Sequence, residues 1–210
     1  MTIIGKWLAI MQNSLLKGNF IRSGVIFLRV GWCVWVTGLP GSGKSTVARL
    51  LADRLRAMGV HAYVLSSDAL RRVITPNPKY TDEERDMVYG ALVYIAKILT
   101  ENGVNVIIDA TGNRRRYRDN ARRQIPLFME AYLRCPLEVC IERESKRVDN
   151  HGAPREVYAK AFRGESKTVP GLGAPYEEPL NPEVTVDSDK LSPEECVEKI
   201  LKAIAERFMR

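Results

Sequence analysis

The residues best suited to chemistry lie between Val34 and Arg49, VWVTGLPGSGKSTVAR, where Gly38, Gly43, Lys44 and Ser45 stand at the spacing G-x-x-x-x-G-K-[ST]. Glycines open backbone angles closed to other residues, so consecutive N–H groups can turn inward around a phosphate. Lys44 brings a mobile positive charge to the β- and γ-phosphates of a nucleoside triphosphate, and Ser45 offers its hydroxyl to Mg²⁺. The apolar run Cys33 to Thr37 before the loop reads as a strand, and the pattern from Ser45 onward as a helix whose N-terminal partial charge faces the same anion. ATP and Mg²⁺ are therefore the expected ligands, with Gly38, Leu39, Pro40, Gly41, Ser42, Gly43, Lys44, Ser45 and Thr46 on the ATP side. The bland alternative is a glycine-rich turn without consequence. The strand–loop–helix context around all four signature residues argues against it.

Two carboxylates are aimed at the same place. His61 to Leu65 reads as a short strand with Ser66-Ser67-Asp68 at its C-terminal end, and Val104 to Ile108 as a buried parallel strand finishing in Asp109-Ala110-Thr111-Gly112. Ligands of open α/β sheets collect at the carboxyl ends of the strands. An apolar strand ending in Asp has the form of a carboxylate that holds Mg²⁺ directly or through water. Ser45, Asp68 and Asp109 are the candidate metal ligands, and Lys44, Asp68 and Asp109 the candidate catalytic groups. For Asp68 the plain competitor is a helix N-cap, since a helix can begin at Ala69-Leu70-Arg71-Arg72. After Asp109 come arginines at 114, 115, 116, 118, 122 and 123. Such a run is usually a solvated helix face, but here its first turn must face the same crevice.

The elements that position these groups follow from periodicity. Apolar residues at three- and four-residue steps predict a helix over 45–58 closed by Gly59, and Thr81-Asp82-Glu83-Glu84 caps a long helix running to Asn102. Phe128 to Arg134 is a further strand, and Pro136 to Glu142 starts a helix. The polar stretch Lys146 to Pro154 suits a mobile lid, and Pro170 to Pro182 a loop. Val184 to Val186 reads as the last strand, and Ser192 caps a terminal helix with Pro193 at its first position. Strands alternating with helices predict an α/β fold of P-loop kinase type: three α/β/α layers, a mostly parallel central sheet and a lid segment.

The 210 residues carry a formal net charge of +7, with 45% hydrophobic and 27% charged residues. This suits one soluble domain acting on an anionic partner, either a small nucleotide or a nucleic acid. Four scattered cysteines with no C-x-x-C pair and only two histidines argue against a structural zinc site and a disulfide framework, and point to a cytoplasmic chain. Residues 1–31 form an N-terminal amphipathic extension, with an edge strand or connector near Gly24 to Val30, ahead of a kinase domain at 32–210. No apolar run reaches the roughly 20 residues of a membrane span.

From Trp32 onward the chain resembles the adenylylsulfate kinase family, whose members phosphorylate the 3′-hydroxyl of adenosine 5′-phosphosulfate. The resemblance rests on GLPGSGKSTVARLLADRL, on Asp68 with Leu70-Arg71-Arg72, and above all on REVYAKAFRGESKTVPGLGAPYEEPLNPE, Arg155 to Glu183. It implies a lid over 144–182, with Arg71 and Arg85 on the phosphosulfate or its ribose, Tyr80 stacked on the substrate adenine, and Lys167 closing over the phosphates. With Arg115 these would grip the acceptor, while Arg143 or Arg147 closes over the transferring group. Relatives are often dimers, and the apolar N-terminal segment is a candidate contact.

The chain also departs from the family. Ser66-Ser67-Asp68-Ala69 keeps only the second acid of the usual Asp-Gly-Asp-Asn. Val88 and Val169 stand where the family has an asparagine and a second stacking phenylalanine, and Ala110-Thr111-Gly112-Asn113 replaces a phenylalanine–isoleucine–serine–proline segment. Extra residues between Arg143 and Arg155 enlarge the lid. Base–aromatic stacking contributes about 1–3 kcal/mol, so these changes bear on the acceptor and leave the ATP side intact. Two rivals follow: a kinase for another hydroxyl acceptor (a nucleic-acid end, an aminoacylated tRNA or a small polyol), and a nucleotide-binding module without catalysis.

Overall fold

Alternation along β1 (Cys33–Thr37) sends Val34 and Val36 to one face of a sheet and Cys33 and Trp35 to the other, and all four are completely buried. A strand buried on both faces needs a helical layer on each side. The computed structural model, which describes residues 30–146, 154 and 156–209, supplies both. One layer is α1 (Lys44–Ala57) with α7 (Pro193–Phe208), packing Val47, Leu51, Leu55, Val197, Ile200 and Ile204 on the Val34 face. The other is α3 (Asp82–Glu101) with α4 (Arg115–Gln124), packing Tyr89, Leu92, Val93, Ala96, Tyr117 and Ala121 on the Trp35 face. The remaining strands are β2 (Ala62–Ser66), β3 (Asn105–Asp109), β4 (Phe128–Arg134) and β5 (Val184–Asp187). The sheet is wholly parallel in the order β2-β3-β1-β4-β5.

Helix ends fall where local chemistry predicts. Thr81 caps α3, and Ser192 forms a reciprocal box with Glu195 at the start of α7, where Pro193 stands in the first turn. The short helix α2 (Ser67–Ile74) is capped by Ser66, whose Oγ accepts from Ala69 N at 3.3 Å. The cap role therefore falls to Ser66 and not to Asp68, which sits inside the first turn. Beyond β4, α5 (Leu137–Ser145) and the lid helix α6 (Val157–Phe162) pack around Cys135, Cys140, Tyr158 and Val169. The sequence pattern alone suggests no helix at 157–162. The expected N-terminal amphipathic segment, and most of the polar lid stretch with Arg147, lie outside the described residues. Among the described residues no helix is long and apolar enough to cross a membrane.

Candidate active site

Parallel register sets the geometry of the site. Val36 pairs with Asp109 and Ser66 pairs with Asp109, so the ends of β1, β2 and β3 lie side by side. The glycine loop leaves β1, Asp68 follows β2, and Asp109 is the last residue of β3. Carboxylates separated by about forty positions in sequence thus share one crevice with Lys44 and Ser45. The cavity there has a volume of about 630 Å³. Of the residues expected on the ATP side, Pro40, Gly41, Gly43, Lys44, Ser45, Thr46 and Arg143 line it, and of the acceptor candidates Arg71, Tyr80 and Arg85 do.

The loop is held from behind. Lys44 Nζ donates to Leu39 O at 2.8 Å, and Ser42 is fully buried, its carbonyl accepting from Ser188 Oγ at 2.9 Å. Arg143 donates to Ser188 O at 2.9 Å and has Cys135 Sγ at 3.9 Å, so it braces the back of the loop as well as lining its front. Tyr158 of α6 donates to Pro40 O at 2.8 Å, joining the lid helix to the loop. Gly41 sits at φ 81°, and a Cβ there would come within 2.3 Å of Cys140 O. Gly41→Ala is therefore expected to push the loop off α5 and raise the KM for ATP by about tenfold or more, since a non-glycine residue forced into such a conformation costs roughly 1–3 kcal/mol. ATP titrations of the parent and the variant check this. An unchanged KM would show that the loop can shift at no cost to nucleotide binding.

On the acceptor side, Arg71 and Arg85 are each 5% exposed and lie close to the Tyr80 ring, their guanidinium carbons 4.7 and 5.9 Å from its centroid. Tyr80 has φ 58° and is clamped by neighbouring residues of α3: Glu84 accepts from Tyr80 N at 2.6 Å, and Arg85 Nε donates to Tyr80 O at 3.2 Å. Burial, reinforced by Asp68, pushes the Tyr80 hydroxyl above its ordinary range against the pull of both arginines. Arg85 reaches Asn113 Oδ1 at 3.2 Å and Thr168 O of the lid at 2.6 Å. Among the described residues, Arg71 Nη1 is buried with no hydrogen-bond partner.

The arginine run of α4 has a different use from the one its position suggests. Arg115 lies off the cavity, donating from its guanidinium to Glu178 O at 3.3 Å and from its backbone to Glu177 Oε2 at 2.8 Å. The structure does not bring it to the cavity wall with Arg71, Tyr80 and Arg85. Arg114 pairs with Glu177 at 3.4 Å, Arg116 with Asp86, Arg118 with Glu130 at 2.5 Å, and Arg122 with Glu183. Arg114, Arg115, Arg118 and Arg122 thus clamp the strap 175–183 at the end of the lid, whereas Arg116 ties to α3, and Glu177 is held below the ordinary carboxylate range, chiefly by the Arg115 backbone N–H. Tyr176 on this strap contacts Thr37 Oγ1 at 3.0 Å, at the very end of β1. Lys167 is exposed on the lid beside Thr168 and does not line the cavity. Gly38, Leu39 and Ser42 do not line the cavity: Gly38 and Ser42 are buried, and Leu39 packs half-buried on the cluster around Cys135 and Cys140. Sequence reasoning missed Thr37, Asn113, Tyr158, Tyr176 and Ser188 as supports. Tyr176 stood within the lid pattern, but a lone Ser188 carried no local signal.

The family model for adenylylsulphate kinase matches residues 30–187. A probable adenylyl-sulfate kinase of Pyrococcus abyssi is 40% identical over 176 residues, covering 84% of this chain and 96% of that protein. The adenylyl-sulfate kinase of Picosynechococcus sp. is 36% identical over 176 residues, covering 84% and 94%. Among solved structures, the APS kinase of Mycobacterium tuberculosis in complex with AMPPNP and APS is similar with a TM-score of 0.74 at 31% identity, covering 83% of this chain and 97% of that one.

Proposed function

The chain belongs to the adenylylsulfate kinase family, and from that membership we propose that it transfers the γ-phosphoryl group of ATP to the 3′-hydroxyl of adenosine 5′-phosphosulfate. The observation that carries the acceptor side is the pair of buried arginines on Tyr80, one of them with an unpartnered Nη1. An unsatisfied buried donor costs about 1–3 kcal/mol. An anionic acceptor reaching Arg71 relieves that cost, and Tyr80 offers a face to its base.

Phosphoryl transfer asks a protein chiefly to position reactants and neutralise charge. The loop from Gly38 to Thr46, with Lys44, holds the ATP phosphates, and Arg143 closes on that side. Arg71, Tyr80 and Arg85 hold the acceptor, with Lys167 reaching over from the lid. The ester bond forms at the 3′-oxygen as the bond from the γ-phosphorus to its bridging oxygen breaks, and the hydroxyl proton passes to a carboxylate, Asp68 or Asp109. Ser45, Asp68 and Asp109 present only hard oxygen donors in one cavity, a set that fits Mg²⁺ retaining waters. When bound, Mg²⁺ would neutralise charge on the phosphates. We assign residues 32–210 to one kinase domain, with the lid at 144–182 and an extension at 1–31, acting in the cytoplasm.

The deciding experiment measures ADP release with adenosine 5′-phosphosulfate against a panel of sugar, polyol, tRNA and oligonucleotide acceptors. Saturable release with the phosphosulfate, falling gently as salt rises, is expected. Release no greater than background with it would sink the substrate reading, and a steep salt dependence with an oligonucleotide would replace it. Arg114, Arg116, Arg118 and Arg122 weigh against that rival, because their charges are already met by the chain's own acids.

A further inference from the structure

The asparagine that the family carries after Arg85 is here Val88, which is fully buried and offers the cavity nothing polar. Another asparagine stands where the family has proline. Asn113 is 1% exposed; its Oδ1 accepts from Arg85 Nη1 at 3.2 Å and its Nδ2 donates to Pro175 O at 3.1 Å. Its own carbonyl accepts from Glu177 N at 2.7 Å. The orientation of the side-chain amide is forced, because a guanidinium can only donate and a carbonyl can only accept. The turn that delivers it is equally constrained. Gly112 has φ 52°, a Cβ there would meet the Trp35 ring at 2.8 Å, and Gly112 N donates to Tyr89 Oη at 3.1 Å.

Among the described residues, the groups that accept hydrogen bonds from Arg85 are Tyr80 O, Asn113 Oδ1 and Thr168 O, all neutral. Elsewhere in the same region two arginines are held by carboxylates, Arg118 by Glu130 and Arg122 by Glu183. A carboxylate at position 113 would hold Arg85 equally well and would cancel the charge it presents to the cavity. We propose that Asn113 is a positioning residue of the acceptor site, one that fixes the Arg85 guanidinium while leaving its positive charge for an anionic acceptor. The role rests on the acceptor reading above, and it adds a side chain that makes no contact with substrate.

Charge and packing predict opposite orders for two variants. Both variants lose the donation to Pro175 O, so with Asn113→Asp nearly isosteric volume alone makes it the milder of the two, whereas the charge argument makes it the severe one. Asn113→Ser removes volume and the hold on Arg85 but adds no charge. The expected result is a KM for adenosine 5′-phosphosulfate raised about tenfold or more in Asn113→Asp and about threefold in Asn113→Ser. That ratio corresponds to weakening a charge-assisted contact, with the KM for ATP within about twofold of the parent in both. Steady-state kinetics with each substrate varied, alongside thermal melting of each variant, read this out. The Ser variant decides the matter if the Asp variant does not fold, because an unchanged acceptor KM in it removes the role. The role is also overturned if Asn113→Ser is the worse of two folded variants, or if the KM values for ATP and acceptor rise together. Background turnover by the parent protein removes the substrate reading and this role with it, whereas a normal parent with an unaffected Asn113→Asp removes this role alone.

Discussion

Lys44→Ala is expected to lower kcat for phosphoryl transfer by about a hundredfold to a thousandfold, the loss typical when one preorganised group facing developing negative charge is removed. Lys44 lines the cavity from the first turn of α1 and folds back to donate to Leu39 O at 2.8 Å, so its ammonium is already held over the loop. Beyond that one bond the loop is held by Ser188 and Tyr158, neither of which involves the lysine side chain. The variant should therefore melt within a degree or two of the parent while turnover collapses. Lys44→Arg should recover little, because a planar guanidinium replaces a compact ammonium in a loop of fixed curvature. Single-turnover ADP formation at saturating ATP is the measurement. A kcat within tenfold of the parent would mean that the backbone amides alone carry the phosphate charge.

Glu130→Ala is expected to have the largest effect on stability. Arg118 is 1% exposed and donates to Glu130 Oε1 at 2.5 Å, to Gly112 O and to Glu177 O, and Arg122 approaches the other carboxylate oxygen at 3.5 Å. Burial pushes the Glu130 carboxyl up while Arg118 and Arg122 pull it down. The pair as a whole contributes modestly, but removing one partner leaves a buried guanidinium charge without its counterion. That loss costs about 3–5 kcal/mol. For a chain of this size each kcal/mol shifts the melting temperature by about 2–4 °C, so a fall on the order of 10 °C is expected in thermal unfolding. Asp53→Ala is the matched control: it breaks the pair with Arg56, in which both side chains are more than 60% exposed, and should change stability by less than about 1 kcal/mol. Equal effects from the two substitutions would refute the distinction.

The sequence by itself determined the strands, most of the helix ends and the phosphate loop. Each is written in a local signal: the apolar alternation of Cys33–Thr37, the caps at Thr81 and Ser192, and the fixed spacing of Gly38, Gly43, Lys44 and Ser45. It also identified Asp68 and Asp109 as strand-end carboxylates, because parallel strands of similar length bring their C-terminal residues together. It could not decide what the arginines of α4 do, since their partners Glu177 and Glu183 lie about sixty residues further on. Nor could it see that Ser66 relieves Asp68 of capping, or that Ser188 holds the loop across 146 positions. Asn113 is the clearest case: in sequence it is a departure from a family pattern, and only the fold brings it between Arg85 and Pro175. Spacing along a chain reports contacts within one turn or one strand. The fate of a charge depends on which acceptors the tertiary fold delivers to it, and those arrive from elements the local sequence does not contain.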